Sequence, residues 1–205
     1  MIPLFFVALS VIGERKVDLC PLVRVSFTMR YSVRILALLL GLLALIFTPA
    51  AYANGKTLTG KVMQVKDGDT VVISPEDGGQ FFVCRLYGID APETAHLRFG
   101  KGGQRFGEEA SRELKRLILG QTVEVTTTGQ KTYKREVCLI KKDGQDINLE
   151  MIKRGYAWAY RQHLKRPYTS EYIEAENEAR SKRLGLWKDN NPSPPWEFRK
   201  QQRGK

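Results

Sequence analysis

Two glycine-bearing turns constrain this chain's fold more than anything else in it. Thr57 to Lys66 is rich in β-branched residues that alternate with polar ones, and Asp67-Gly68 turns that run into a second one, Asp69 to Ser74. Asp77-Gly78-Gly79 then turns the chain again, into Gln80 to Tyr87. Asp-Gly between alternating runs is a strong short-range hairpin signal, because its residues accept the positive φ that a tight turn needs. Three antiparallel strands are therefore expected in the first thirty residues of this region. On the third, Phe82, Cys84 and Leu86 share one face, and Phe81, Val83 and Arg85 share the other.

The rest of the pattern completes a small barrel. A helix is expected from about Gly107 to Leu119, with Ala110, Leu114, Leu117 and Ile118 on one stripe and Glu108, Arg112, Lys115 and Arg116 facing water. Gln121 to Thr128 and Arg135 to Lys141 read as two more strands, joined by a polar link from Thr126 to Lys134. Asn148 is expected to cap a short helix ending at Gly155, and Ser170 a last helix that Gly185 terminates. The tail from Lys188 is rich in proline, asparagine and charge, so it is expected to wrap the surface or fray. Strand, strand, strand, helix, strand, strand is the order of the OB-fold, a five-stranded Greek-key barrel. The expected class is α+β: a β-barrel with about three helices.

The first quarter of the 205 residues reads as targeting sequence rather than fold. Arg30 and Arg34 precede an apolar run from Ile35 to Phe47, and Ala51-Tyr52-Ala53 has the small-x-small spacing of a signal-peptidase site. The run is shorter than the roughly 20 apolar residues of a spanning helix. Residues 29–53 are thus expected to be a signal peptide, with a retained membrane anchor as the alternative. Residues 1–28 read as an extension ahead of the physiological start at Met29, residues 54–187 as the folded domain, and 188–205 as the tail. The expected location is periplasmic or extracellular.

Composition narrows the partners. Lysine and arginine number 33 against 22 acidic residues, a formal charge of +11, and that sign attracts polyanions. It equally suits plain solubility. His96 and His163 are too few and too scattered for a zinc site. Beyond residue 53 the cysteines are Cys84 and Cys138, each placed on the strand face opposite an arginine, so they either bridge in the core or remain free and buried.

Chemistry concentrates between residues 67 and 93. Asp67-Gly68-Asp69-Thr70 and Arg85-Leu86-Tyr87-Gly88-Ile89-Asp90-Ala91-Pro92-Glu93 bring carboxylates and an arginine close together in sequence. Taken singly, the first is a hairpin turn and the second a polar loop. Together they supply oxygen ligands for a hard divalent cation, a proton acceptor and a cationic phosphate clamp, the parts that attack on a phosphodiester requires.

These motifs, with Tyr133-Lys134-Arg135 and Gly185-Leu186-Trp187, resemble the staphylococcal-type nucleases, also called thermonucleases or micrococcal nucleases, over residues 57 to 187. The resemblance implies a calcium-dependent phosphodiesterase acting on DNA and RNA with little sequence preference, working as a monomer without a stable protein partner. By position, Asp69 and Asp90 would ligate calcium with the Ala91 carbonyl. Glu93 would take the proton of the attacking water or orient it, Arg85 and Arg135 would hold the phosphate, and Tyr133 would contact it. Asp67 reads as turn-forming. Lys134 stands where the family often has glycine, which matters if that position needs a positive φ. Tyr156, Trp158 and Tyr160 are candidates for base stacking or for the core, with Tyr160 the one expected to meet substrate. A non-catalytic nucleic-acid-binding barrel is the alternative, and the complete set Asp69, Arg85, Asp90, Glu93 and Arg135 argues against it.

Overall fold

The computed structural model describes residues 55–95 and 102–203. The expectations for residues 1–53 and for His96 lie outside them. Among the described residues no helix is long and apolar enough to cross a membrane.

Both glycine turns form, though only Gly78 takes the positive φ, 78°, that argued for them. Strand β1 (Thr57–Asp67) passes through Gly68 into β2 (Thr70–Pro75), and the Asp67 carboxylate accepts the Asp69 N–H at 3.0 Å. The Asp77 carboxylate accepts the Gly79 N–H at 3.0 Å in the turn that leads to β3 (Phe82–Leu86). A short β4 (Ile89–Asp90) follows, then helix α1 (Gly107–Ile118), β5 (Thr122–Thr132), β6 (Arg135–Lys142) and β7 (Gln145–Asp146). Helix α2 (Ile147–Lys153), β8 (Trp158–Ala159), α3 (Tyr168–Ser181), a 3-10 turn (Gly185–Lys188) and α4 (Pro195–Arg203) complete the order.

The sheet runs β3-β2-β1-β5-β6-β7, and a parallel pairing of β3 with β6 closes it. The result is the expected five-stranded barrel, β1, β2, β3, β5 and β6, of the OB type. Closure removes the sheet edges that would otherwise invite pairing with other chains. A register shift in β1 between Val62 and Gln64 re-phases the alternation, so that Val62 and Val65 both point inward while Met63 lies outside. Such a bulge bends a strand round a small barrel. Helix α1 packs Ala110, Leu114 and Ile118 against β1.

Several local expectations are corrected. Asp146, not Asn148, caps α2: its carboxylate accepts the Leu149 N–H at 3.0 Å. Asn148 is instead fully buried inside the helix. Its Oδ1 accepts the Ile140 N–H at 3.2 Å, and its Nδ2 donates to the carbonyls of Tyr87 and Cys138, both at 3.0 Å. Helix α3 starts at Tyr168 after Pro167, so Ser170 lies within it and caps nothing. The polar link from Thr126 is mostly strand: β5 continues to Thr132 and pairs with Arg135 across a tight turn. The positive φ in that turn, 57°, belongs to Tyr133 and not to Lys134. Cys84 and Cys138 are both buried in the core, as free thiols rather than a bridge. Across the parallel seam Cys84 faces Glu136 and Cys138 faces Leu86, so the cysteines are diagonal neighbours. Burial and the neighbouring Cys138 push the Cys84 thiol pKa up. As far as residue 203 the tail lies on the domain, the first of the two expectations for it, with Trp196 of α4 packed against the Trp158 cluster.

Candidate active site

Barrel geometry gathers the acidic groups at one end. Asp69 follows the β1–β2 turn, Arg85 is directly across from Thr70 in the β2–β3 pair, and Asp90 ends β4 opposite Trp158 of β8. Asp69 and Asp90 are 2% and 0% exposed, which is rare for carboxylates unless they are paired. They are paired here. Arg85 donates through Nη1 to Asp69 Oδ1 and through Nη2 to Asp90 Oδ1, both contacts very close. The Thr70 hydroxyl donates to the same Asp69 oxygen at 3.0 Å, and the Ala91 N–H donates to Asp69 Oδ2 at 2.9 Å. The Ala91 backbone thus lies beside both candidate ligands.

Gly68 makes that approach possible. A Cβ there would come within 2.6 Å of the Ala91 Cβ and 2.8 Å of the Ala110 Cβ. Gly107 does the same for Glu93, whose carbonyl lies where a Cβ of residue 107 would be. That carbonyl accepts the Gln104 N–H at 2.8 Å, and the Glu93 N–H donates to Gln104 Oε1 at 3.3 Å. Glu93 is therefore held by its backbone at the start of α1 while its side chain points at the cluster.

Electrostatics in the cluster are unbalanced. Burial raises the Asp69 pKa well above the ordinary carboxylate value; Arg85 opposes this, while the charges of Asp67 and Asp90 add to it. Burial alone would lower the Arg85 pKa, but Asp69 and Asp90 outweigh it and hold the guanidinium above its ordinary value. At Asp69 the cost of burial outweighs the attraction of Arg85.

Arg135 joins through Thr70, donating to its hydroxyl at 3.4 Å. Tyr133 does not join: it stands at the hairpin tip, 92% exposed. Tyr160 lies beside β8, its N–H bonded to the Gly88 carbonyl at 2.8 Å and its ring edge-on to His163. Trp158 is core, packed edge-on against Trp187 at 4.4 Å.

One residue escaped the sequence reading. Arg199 of α4 grips Asp90 with both arms of its fork, Nη1 to Oδ1 at 3.0 Å and Nη2 to Oδ2 at 2.8 Å, and reaches Glu93 Oε1 at 2.6 Å. Burial would lower its pKa, yet Asp90 and Glu93 hold it above the ordinary value. The available signal was Pro194-Pro195-Trp196: proline suits the first turn of a helix, and Trp196 and Arg199 then share a face.

The donor set suits a hard cation. Asp69, Asp90, Glu93 and the neighbouring backbone offer only oxygen, with no histidine or sulfur among them, and two guanidinium groups already answer their demand for positive charge. Among the described residues no three His, Cys, Asp or Glu side chains converge as a ready ligand group, so backbone and water oxygens would have to complete the shell.

Comparison with known proteins agrees with this arrangement. The profile of the family described as staphylococcal nuclease homologue matches residues 83–189, which includes Arg85, Asp90, Glu93 and Arg135. A protein described as an uncharacterized endonuclease from Haemophilus influenzae is 35% identical over 166 residues, covering 81% of this chain and 86% of that protein. A micrococcal nuclease of Shigella flexneri is 36% identical over 150 residues, 69% of this chain and 80% of its own length. The staphylococcal-like nuclease CAN1 of Arabidopsis thaliana is 39% identical over 123 residues, 60% of this chain but only 35% of that longer protein. With an OB barrel that gathers the paired carboxylates and arginines at one end, and with similarity that runs through them, the chain belongs to the staphylococcal nuclease homologue family.

Proposed function

We propose that this protein is a calcium-dependent nuclease that hydrolyses phosphodiester bonds in DNA and RNA with little sequence specificity. The observation that carries the reading is Arg85 shared between two buried carboxylates, Asp69 and Asp90. Buried carboxylates are costly to keep for stability alone. Asp69, Asp90 and the Ala91 carbonyl would hold a calcium ion, which when bound supplies fixed positive charge beside the scissile phosphate. Arg135, and Arg85 through the N–H groups that calcium would free from Asp69 and Asp90, present guanidinium donors to the non-bridging oxygens, whose charge grows as water adds to phosphorus. Glu93 accepts the proton of that water as the oxygen–phosphorus bond forms, and the bond from phosphorus to the leaving oxygen breaks. Tyr160 offers a ring face for a base and Tyr133 a hydroxyl for a neighbouring phosphate. The leader pattern supports export, with cleavage after Ala53.

Digestion of single- and double-stranded DNA and of RNA tests the reading, in calcium, in magnesium and in a calcium chelator. Cleavage of all substrates in calcium, less in magnesium and none in chelator is expected. Glu93→Gln should bind substrate in calcium but turn it over at least 100-fold more slowly, since general-base catalysis contributes roughly 10²–10⁴-fold. Cleavage that persists in chelator, or a fully active Glu93→Gln, overturns the assignment.

A further inference from the structure

The C-terminal helix lies across the proposed site and occupies two of its parts at once. Arg199 takes both oxygens of Asp90 and one of Glu93. One turn earlier Trp196 stacks on Tyr160, ring centroids 5.4 Å apart and planes 8° from parallel, covering a face that a nucleobase would use. Trp196 also meets Trp158 edge-on at 5.6 Å. With Arg85 on Asp90 Oδ1 as well, every oxygen of Asp90 is engaged by a guanidinium. A cation that binds Asp90 meets the repulsion of both guanidinium groups, and at Oδ1, which already accepts two donors, it must displace one of them. Arg85 sits on a barrel strand, with its side chain 15% exposed. Arg199 sits on a helix of which only Pro195 is buried, and its side chain is 34% exposed. The weaker-anchored donor yields first.

We propose that Arg199 is a built-in competitor for the cation at Asp90, and that α4 is a latch which calcium releases from the substrate face. The inference rests on the calcium reading above. The attachments preceding α4 do not involve Arg199 or Asp90: Arg105 pairs with Asp189 at 2.7 Å, and Gln104, which also brackets the Glu93 backbone, donates through Nε2 to the Ser193 carbonyl. They keep α4 tethered when Arg199 lets go, so the latch can close again. Binding linkage is reciprocal: whatever factor calcium takes from latch closure, closure takes from calcium affinity.

Calcium titration calorimetry on the full chain tests this, without reference to turnover. Arg199→Gln removes the competitor and should tighten calcium binding by roughly 5-fold or more, within the usual range of such couplings. Arg199→Lys keeps the charge but loses the fork, and should also tighten it. Trp196→Ala never touches Asp90 but loosens α4, so it should tighten binding by a smaller factor. Hydrogen exchange in residues 195–203 of the unmodified protein should speed up when calcium is added. Unchanged or weaker calcium affinity in all three variants overturns the latch, as does slower exchange of α4 in calcium. Failure of the unmodified protein and all variants to bind calcium is a different result: it overturns the calcium assignment and the latch with it.

Discussion

Arg85 and Arg135 look alike in sequence, and the structure separates them. Arg85 compensates two carboxylates that are almost wholly buried, whereas Arg135 is tied in by a single bond of 3.4 Å to a hydroxyl. Removing one partner of a buried ion pair costs roughly 3–5 kcal/mol, because the other charge is left uncompensated. Arg85→Ala should therefore lower stability by about that much in chelator, and calcium should restore part of it by supplying positive charge to the same oxygens. Arg135→Ala should change stability little. Both should slow turnover by roughly 10²-fold or more, the size of losing one transition-state donor. Thermal unfolding with and without calcium, beside turnover, reads the difference; equal stability losses would mean that Arg85 does not carry the carboxylates. Asn148 poses a simpler question at the same scale. Its amide satisfies the Ile140 N–H and two carbonyls, all buried. Asn148→Ala removes the amide from the Ile140 N–H and from the Tyr87 and Cys138 carbonyls, the last of which still accepts the Tyr87 N–H at 2.7 Å, and should cost roughly 2 kcal/mol by denaturant titration. A loss under about 1 kcal/mol would show that water replaces the amide.

Elements place those residues, and Gly107 at the start of α1 is the tightest joint. Any Cβ there meets the Glu93 carbonyl, so Gly107→Ala must push the Glu93 segment and α1 apart. Glu93 then shifts while Asp69 and Asp90, fixed on the other strands, stay. The expected outcome is turnover reduced roughly 100-fold, as a 1 Å misplacement can cost, with calcium affinity unchanged by calorimetry. Loss of calcium binding in parallel would show that the joint supports the whole cluster. What was legible in the sequence follows the same division. The two Asp-Gly turns, the stripe of α1 and the Asp69–Glu93 motifs were readable because they depend on near neighbours and on a face buried with a regular period. The outer half of β5 was not: from Gln130 to Thr132 it is an exposed two-stranded arm, with no inward face to impose alternation. Asp146 and Asn148 are both competent caps, and only the tertiary demand of Ile140, Tyr87 and Cys138 decides which one turns inward. Arg199 lies 109 residues from Asp90, and nothing local marks that partner.

At the scale of the whole molecule the barrel stands or falls at one seam. Strands β3 and β6 close it in parallel, Arg85 opposite Val137 and Leu86 opposite Cys138, and the same β3 strand carries Arg85 to the site. Cys84 and Cys138 sit just behind that seam, both fully buried. Burial keeps the Cys84 thiol protonated, and thiolate rather than thiol is the reactive form. Neither sulfur is reached by local fraying, because each is covered by the barrel's own closure. Alkylation of Cys84 and Cys138 should therefore require the barrel to open and should follow global unfolding, the two residues reacting together. Pulsed alkylation across a urea series, read by mass spectrometry at each cysteine, measures this against the unfolding curve. Modification of Cys138 ahead of Cys84 under native conditions would mean that β6 detaches by itself. Coincident curves would mean that closing the barrel and assembling the Arg85–Asp69–Asp90 cluster are one cooperative event, since β3 contributes to both.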